Sequence, residues 1–151
     1  MDEQLLLKLQ QTLDREIPLS TAMGLEVASW QEERLSMRMP LEPNKNHQYS
    51  AFAGSLNALC TVVGWGTIFL LLGREGLQGN IVIRRDKIRF LRPVVTSEIV
   101  ARGLPVDPAE RAYFFELMRN KGKTKLDVAS EIADEQGPLV KFQGSYVVHD
   151  W

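Results

Sequence analysis

The run Asn44-Lys-Asn46-His47-Gln-Tyr49-Ser50-Ala-Phe52-Ala-Gly54-Ser55-Leu-Asn57 gathers most of the residues that could do chemistry, at the threshold of the longest apolar stretch in the chain. Backbone N–H groups at the start of a helix lack intrahelical partners and lie at the positive end of its dipole. A glycine there lets a ligand come close, so the Gly54 N–H is a candidate for holding a carbonyl oxygen as negative charge develops on it. A close packing of helix on sheet is the plainer use of the same glycine. Asn46, and after it Asn44, could orient a carbonyl or carboxylate through the side-chain amide, although Asn also caps turns and tolerates left-handed backbone. His47, Tyr49 and Ser50 could bond a substrate; Ser55 could do so or cap the helix. Phe52 suits either the apolar wall of a pocket or the core. Asn57 could bond into a pocket, across a subunit boundary, or simply be satisfied within the core.

Equally informative is what this run lacks. Between Glu42 and Glu75 there is no Asp or Glu, so no carboxylate on this helix can activate water. Cys60 is the single cysteine, no histidine lies near it on the helix, and buried cysteines are usually packing residues. One cysteine and two histidines, His47 and His149, exclude an internal disulfide and a Cys/His zinc site. A second cluster is basic: Arg84, Arg85, Lys87, Arg89 and Arg92. On a strand, Arg85, Lys87 and Arg89 share one face. They could receive phosphates or an acidic partner, or form an ordinary solvated face. Gly73, Gly76 and Gly79 follow the apolar helix, the wrong end for an anion, and do not make a phosphate loop.

The elements that must position these residues can be read from periodicity. Leu5, Leu6, Leu9 and Leu13 predict an amphipathic helix over 3–16, stopped by Pro18 and followed by an extended segment through Gly24. Residues 25–31 and 34–41 alternate as a hairpin about Glu32-Glu33, and 42–51 is a polar loop. A long apolar helix covers about 53–72, ending at Gly73 or Gly76. Strands are then expected at 80–90, 97–104, 111–120, 124–134 and 139–148, with turns at 121–123 and 134–138. From Gln48 to Gly73 there is no charge, long enough to span a bilayer. The polar and glycine positions within it, and the amphipathic strands after it, favour a buried core helix instead.

Antiparallel strands on both sides of one apolar helix imply an α+β fold, a curved sheet wrapped around that helix. Such a sheet leaves edges exposed, and a homodimer or larger homo-oligomer would cover them. Length and the lack of linkers give one domain over 1–151. Hydrophobic residues are 44% and charged residues 25%, and the net charge of −1 draws the chain to neither nucleic acid nor an anionic membrane. The N-terminus has no signal-peptide pattern, so a cytoplasmic address is expected.

This order of elements resembles the hotdog fold, and particular residues carry the likeness. Lys87-Ile-Arg-Phe-Leu-Arg-Pro-Val94 with Ser97-Glu-Ile-Val-Ala-Arg-Gly103 resembles the third and fourth strands of hotdog thioesterases, with their aromatic-x-x-Pro step. Asn46 to Ser55 resembles the loop-to-helix signature Asn-x-x-Gly-Thr-x-His-Gly-Gly of acyl-CoA thioesterases. Asn46 then stands on the family's Asn, Phe52 on its His, Ala53-Gly54 on its Gly-Gly, and Thr61 where many members carry the catalytic acid. More narrowly, the Asn-His-x-x-Ser-Ala-Phe-x-Gly-Ser loop is similar to that of thioesterase-like proteins of the YiiD C-terminal type, some of which act as malonyl-acyl-carrier-protein decarboxylases.

The resemblance implies an enzyme that acts on an acyl thioester carried by the phosphopantetheine of coenzyme A or an acyl carrier protein, without a further cofactor or metal. With no acid on the helix, decarboxylation of a malonyl thioester to an acetyl primer for fatty-acid synthesis is the first expectation. Hydrolysis by an acyl thioesterase is the second, and a non-catalytic acyl-thioester-binding module the third.

Overall fold

The computed structural model describes residues 3–150. Helix α1 (Glu3–Glu16) lays Leu9 and Leu13 into the core, as their spacing requires. The segment after it is not extended but a second short helix, α2 (Pro18–Met23). Pro18 begins this helix rather than merely ending the previous one, since proline is preorganised for the first helical turn and needs no N–H there. Gly24, at φ 74°, closes α2 in the left-handed cap that glycine adopts without strain.

Strands β1 (Glu26–Gln31) and β2 (Arg34–Pro40) form the expected hairpin. Its two central residues, Glu32 and Glu33, both have positive φ, at 54° and 59°. That backbone suits the twist of a two-residue hairpin but usually falls to Asn or Gly, because each other side chain costs about 1–2 kcal/mol there. Here the turn is tied down from outside: the Glu33 carboxylate accepts from Arg74 at 3.1 Å and from Arg111. Partial burial acts to raise the Glu33 carboxyl, but the bonds and charges of the two arginines outweigh it and hold it below its ordinary 4.5. A depressed carboxyl stabilises the fold above its unfolded value and loses that contribution as pH falls through the folded one. Glu33→Gln is therefore expected to lower stability by up to about 1 kcal/mol at neutral pH, small because the pair is half exposed. In denaturant titrations the gap should close on acidification below the ordinary value; a gap that persists in acid would mean the ion pairs are not its source.

One turn of 3-10 helix (Glu42–Asn44) and the polar loop lead into α3 (Ala53–Arg74), 22 residues long and buried on nearly every side. By length and hydropathy it could cross a membrane. Here it is the core helix, with Leu59, Cys60, Val63, Ile68 and Leu70 fully buried under the sheet and α1. Strands β3 (Asn80–Phe90) and β4 (Glu98–Gly103) follow as expected.

The segment 108–121 departs from the sequence reading. It is a helix, α4 (Pro108–Lys121), and Lys121-Gly122-Lys123 is its C-terminal exit, not a hairpin turn. The aromatic run Tyr113-Phe114-Phe115 favours a strand. Local chemistry overrides it: Asp107 caps the helix by accepting from the Glu110 N–H at 3.1 Å, Pro108 takes the first turn, and Gly122 exits at φ 65°. Phe114 and Met118, four apart, are buried against the C-terminal half of α3. Strands β5 (Lys123–Asp134) and β6 (Gly137–His149) complete one antiparallel sheet of order β1-β2-β4-β5-β6-β3. It curves around α3 in the hotdog arrangement. α4 packs along β5 where β4 no longer pairs, so that β4 and β5 meet only at Arg102↔Glu131 and Gly103↔Ser130.

Candidate active site

The polar loop is a closed, internally bonded turn that delivers the chain to the start of α3. Lys45 and Ala51 bridge its ends, and the Ala51 N–H donates to the Val94 carbonyl at 2.8 Å. Asn44 is its buried anchor. The Asn44 Nδ2 donates to the carbonyls of Met23 at 2.9 Å and Pro40 at 2.8 Å, and its own carbonyl accepts from the Phe52 N–H at 2.7 Å. Both amide hydrogens of Asn44 are thereby engaged.

Asn46 shapes the tip. The Asn46 Oδ1 accepts from the N–H groups of Gln48 at 2.8 Å and Ser50 at 3.2 Å, and its Nδ2 donates to Ser50 Oγ at 2.9 Å. One Nδ2 hydrogen remains for a ligand. His47 and Tyr49 project into solvent. Tyr49 sits at φ 60° with the Lys45 ammonium 5.2 Å from its ring centre.

Beyond the tip, Phe52 precedes α3 in extended conformation and is 56% exposed. No side chain caps the helix, Ser55 included, and no acid lies in its first turn. The N–H groups of Ser55 and Leu56 both reach the Phe52 carbonyl, at 3.0 and 3.1 Å. Those of Ala53 and Gly54 have no acceptor among the described residues. Two donors thus point outward from the positive end of a long dipole, beside an exposed aromatic ring. Phe90, at the end of β3 and 49% exposed, is an exposed aromatic on the sheet's concave face, and Val94 joins this strand's exit to the loop. The arrangement can bind an oxygen that gains negative charge, flanked by apolar surface.

Asn57 and Thr61 lie on the half-exposed side of α3, where Thr61 Oγ1 donates to Asn57 Oδ1 at 3.1 Å. Burial pushes the Cys60 thiol up to about 12, so at neutral pH it stays protonated and unreactive. Of the sequence-derived candidates, Asn44 is buried, His47, Tyr49, Phe52 and Gly54 are exposed, and Asn46, Ser50, Ser55 and Asn57 are half-buried. Arg85, Lys87 and Arg89 do share a face, but it is the outer face of β3, away from α3.

One residue escaped the sequence reading. β3 pairs with β6 with an irregularity between Ile83 and Arg85, and beyond it Asp86 stands opposite Gly144, Ile88 opposite Phe142 and Phe90 opposite Val140. Phe142 and Val140 are core residues, so Asp86 faces inward, in a concave row otherwise made of Ile81, Ile83, Ile88 and Phe90. Burial pushes the Tyr146 hydroxyl far above its ordinary range, and the charge of Asp86 adds to the rise. A lone acid in an apolar row breaks the local pattern, as functional positions do. Alternation puts Asp86 on the face opposite Arg85, Lys87 and Arg89, but which of the two faces turns inward is set by the irregularity after Ile83.

A family model described as "Putative thioesterase (yiiD_Cterm)" matches residues 6–150. The chain belongs to the YiiD C-terminal thioesterase family. A protein of unknown function from Chlorobaculum tepidum TLS shares 31% identity and superposes with a TM-score of 0.93, covering 99% of this chain and 96% of that one. A "putative thioesterase" from Shewanella oneidensis shares 30% identity at a TM-score of 0.87, over 98% and 99% of the two chains. A thioesterase from Haemophilus influenzae, at 17% identity and a TM-score of 0.70 over 96% and 90%, shares the hotdog fold.

Proposed function

We propose that this YiiD-type protein decarboxylates a malonyl thioester, with the thioester carbonyl oxygen held by the Ala53 and Gly54 N–H groups. Those two unpartnered donors at the uncapped start of α3 are the observation that carries the reading. As the bond between the α-carbon and the carboxylate breaks, its electron pair moves into an enolate whose oxygen the two N–H groups stabilise. Carbon dioxide leaves, and a proton from solvent restores the α-carbon as an acetyl thioester. The apolar surface of Phe52 and Phe90 disfavours the charged carboxylate relative to neutral carbon dioxide. No general base is needed, in keeping with a central helix that carries none. Asn46, with one free amide hydrogen, orients the substrate at most through a single bond and otherwise holds the loop.

The site is completed by a second copy of the chain. The two sheet edges differ: at β1 the Gln10 side chain of α1 pairs with the backbone like a strand, its Oε1 accepting from the Val27 N–H at 2.6 Å and its Nε2 donating to the Leu25 carbonyl at 3.2 Å. β3, 11 residues long, is the other edge of the sheet among the described residues, with half-buried Ile81, Ile83 and Ile88 on the concave face. Pairing along β3 closes that edge and encloses the half-exposed face of α3.

Asp86 supports a second reading, hydrolysis, because in such a dimer its carboxylate lies within the enclosed concave face and could take a proton from water. The two reactions separate cleanly. Malonyl-carrier protein and malonyl-CoA are incubated with the protein while carbon dioxide and free thiol are followed. Acetyl thioester without free thiol is expected, and Asp86→Asn should leave that rate within about threefold. Free thiol, falling about 10²–10⁴-fold in Asp86→Asn, would overturn decarboxylation and establish Asp86 as the hydrolytic base.

A further inference from the structure

We infer that the outer face of the sheet, at Lys87, Arg89 and Lys141, binds the phosphate of the pantetheine arm that carries the acyl group. The inference rests on the thioester reading of the α3 start and adds where the carrier is gripped. Arg89 stands directly opposite Lys141, and Lys87 opposite Gln143, all on the face turned away from α3. They line a hollow of about 310 Å³, and its one acid, Glu131, makes no ion pair among the described residues. Three cations thus face one carboxylate.

Several arginines elsewhere are neutralised: Arg38 pairs with Glu26, Arg74 and Arg111 with Glu33, Arg92 with Asp134, and Arg119 with Glu75. An unpaired cluster in a chain of net charge −1 is therefore a local feature and not an overflow of positive charge. The hollow around Arg85, further along the strand, also holds Arg84 and Lys125, but it carries two acids, Glu110 and Asp127, so its excess of positive charge is smaller. This narrows the site from the whole stripe to its end nearest Phe90.

Position links the cluster to the reaction. Arg89 and Phe90 are the last two residues of β3 and point to its opposite faces, so the hollow and the concave apolar surface lie on the two sides of the sheet at the end of that strand. A phosphate held by Lys87, Arg89 and Lys141 leaves the arm to pass around the end of β3 at Phe90 toward the Gly54 N–H. Cations also serve on edge strands to prevent aggregation. That use does not explain Lys141, which lies on β6, inside the sheet.

Binding, read separately from turnover, tests the inference. The full chain and the triple variant Lys87→Gln/Arg89→Gln/Lys141→Gln are titrated with pantetheine, 4′-phosphopantetheine, coenzyme A and holo-acyl carrier protein. Circular dichroism and sedimentation confirm the fold and assembly of the variant. The parent should bind phosphopantetheine about 10–100-fold more tightly than pantetheine, and the variant should lose that preference, with a matching loss for coenzyme A and carrier protein. Arg84→Gln should retain it. A parent that does not prefer the phosphate, or a variant that keeps the preference, overturns the inference. So does a loss confined to the carrier protein, which would mean recognition of an acidic protein surface. A phosphate preference lost in the variant while no thioester is consumed by the parent would uphold the grip and sink the reaction assigned to α3.

Discussion

Replacing Gly54 by proline is expected to lower kcat on the thioester substrate about 10²–10³-fold while the helix persists, the loss typical for one oxyanion donor. Proline removes the N–H and changes little else in the ladder, because a second-position N–H in a helix has no intrahelical acceptor to lose. Steric cost is the competing effect. A Cβ at position 54 would lie 2.5 Å from Phe52 Cε2, too close to stand without movement. The Phe52 ring is more than half exposed and can turn aside. Gly54→Ala brings the same Cβ and keeps the N–H, so the ratio of the two variants isolates the donor from the crowding. Single-turnover rates on both, with circular dichroism as the check on α3, decide the matter. Equal losses would assign the effect to Phe52 and the shape of the site, and no loss in either would move the oxyanion elsewhere.

The parts of this molecule that the sequence made legible are those set by pattern over many residues. The apolar run at 53–72, the alternation of β1, β2, β5 and β6, and the shared face of Arg85, Lys87 and Arg89 all follow from periodicity and stand in the structure. The two misread segments, 18–23 and 108–121, are short helices whose interiors read weakly and whose ends carry the information. Asp107, Pro108, Glu110 and Gly122 mark α4 more clearly than Tyr113-Phe114-Phe115 argues for a strand.

Within the candidate site, residue types singled out the loop before α3 but not what each side chain bonds. Asn44 is fixed by the carbonyl of Met23, 21 residues earlier, a partner that no local spacing discloses. Asn46 could be read as an amide for substrate or as a turn-former, and its three bonds within the loop are those of the second use. The inward phase of Asp86 depends on an irregularity after Ile83 that shifts the register by one, which periodicity alone does not locate. Gln10 covering the β1 edge is likewise a through-space fact.

Adding one methyl group at Gly64 is expected to be the most damaging small change in the core. Its Cβ would lie 2.1 Å from Tyr146 Oη and 2.6 Å from Cζ. Tyr146 is 1% exposed, and its hydroxyl donates to the Thr61 carbonyl at 2.8 Å, so the ring is pinned at its tip. It is also confined from its own strand, since a Cβ at Gly144 would fall 2.8 Å from Tyr146 Cε1. Glycine on the helix and glycine on the sheet together form the slot the ring occupies. Gly64→Ala gains about 1 kcal/mol of helix propensity. Overlap with a ring that cannot retreat costs more, and a net loss near the upper end of about 1–3 kcal/mol is expected in urea denaturation. Tyr146→Leu alone forfeits the hydrogen bond and leaves space behind. In the double variant the smaller side chain makes room for the methyl, so the two losses should fall short of additive by about 1 kcal/mol or more. An additive cycle would show that the ring and Gly64 do not compete for the same space. The slot also bears on chemistry: Thr61, whose carbonyl receives the Tyr146 hydroxyl, lies two turns along α3 from Gly54. A helix displaced to accommodate the methyl would carry the Gly54 N–H with it, so Gly64→Ala should lower kcat as well as stability, and Tyr146→Leu in the same chain should restore part of both.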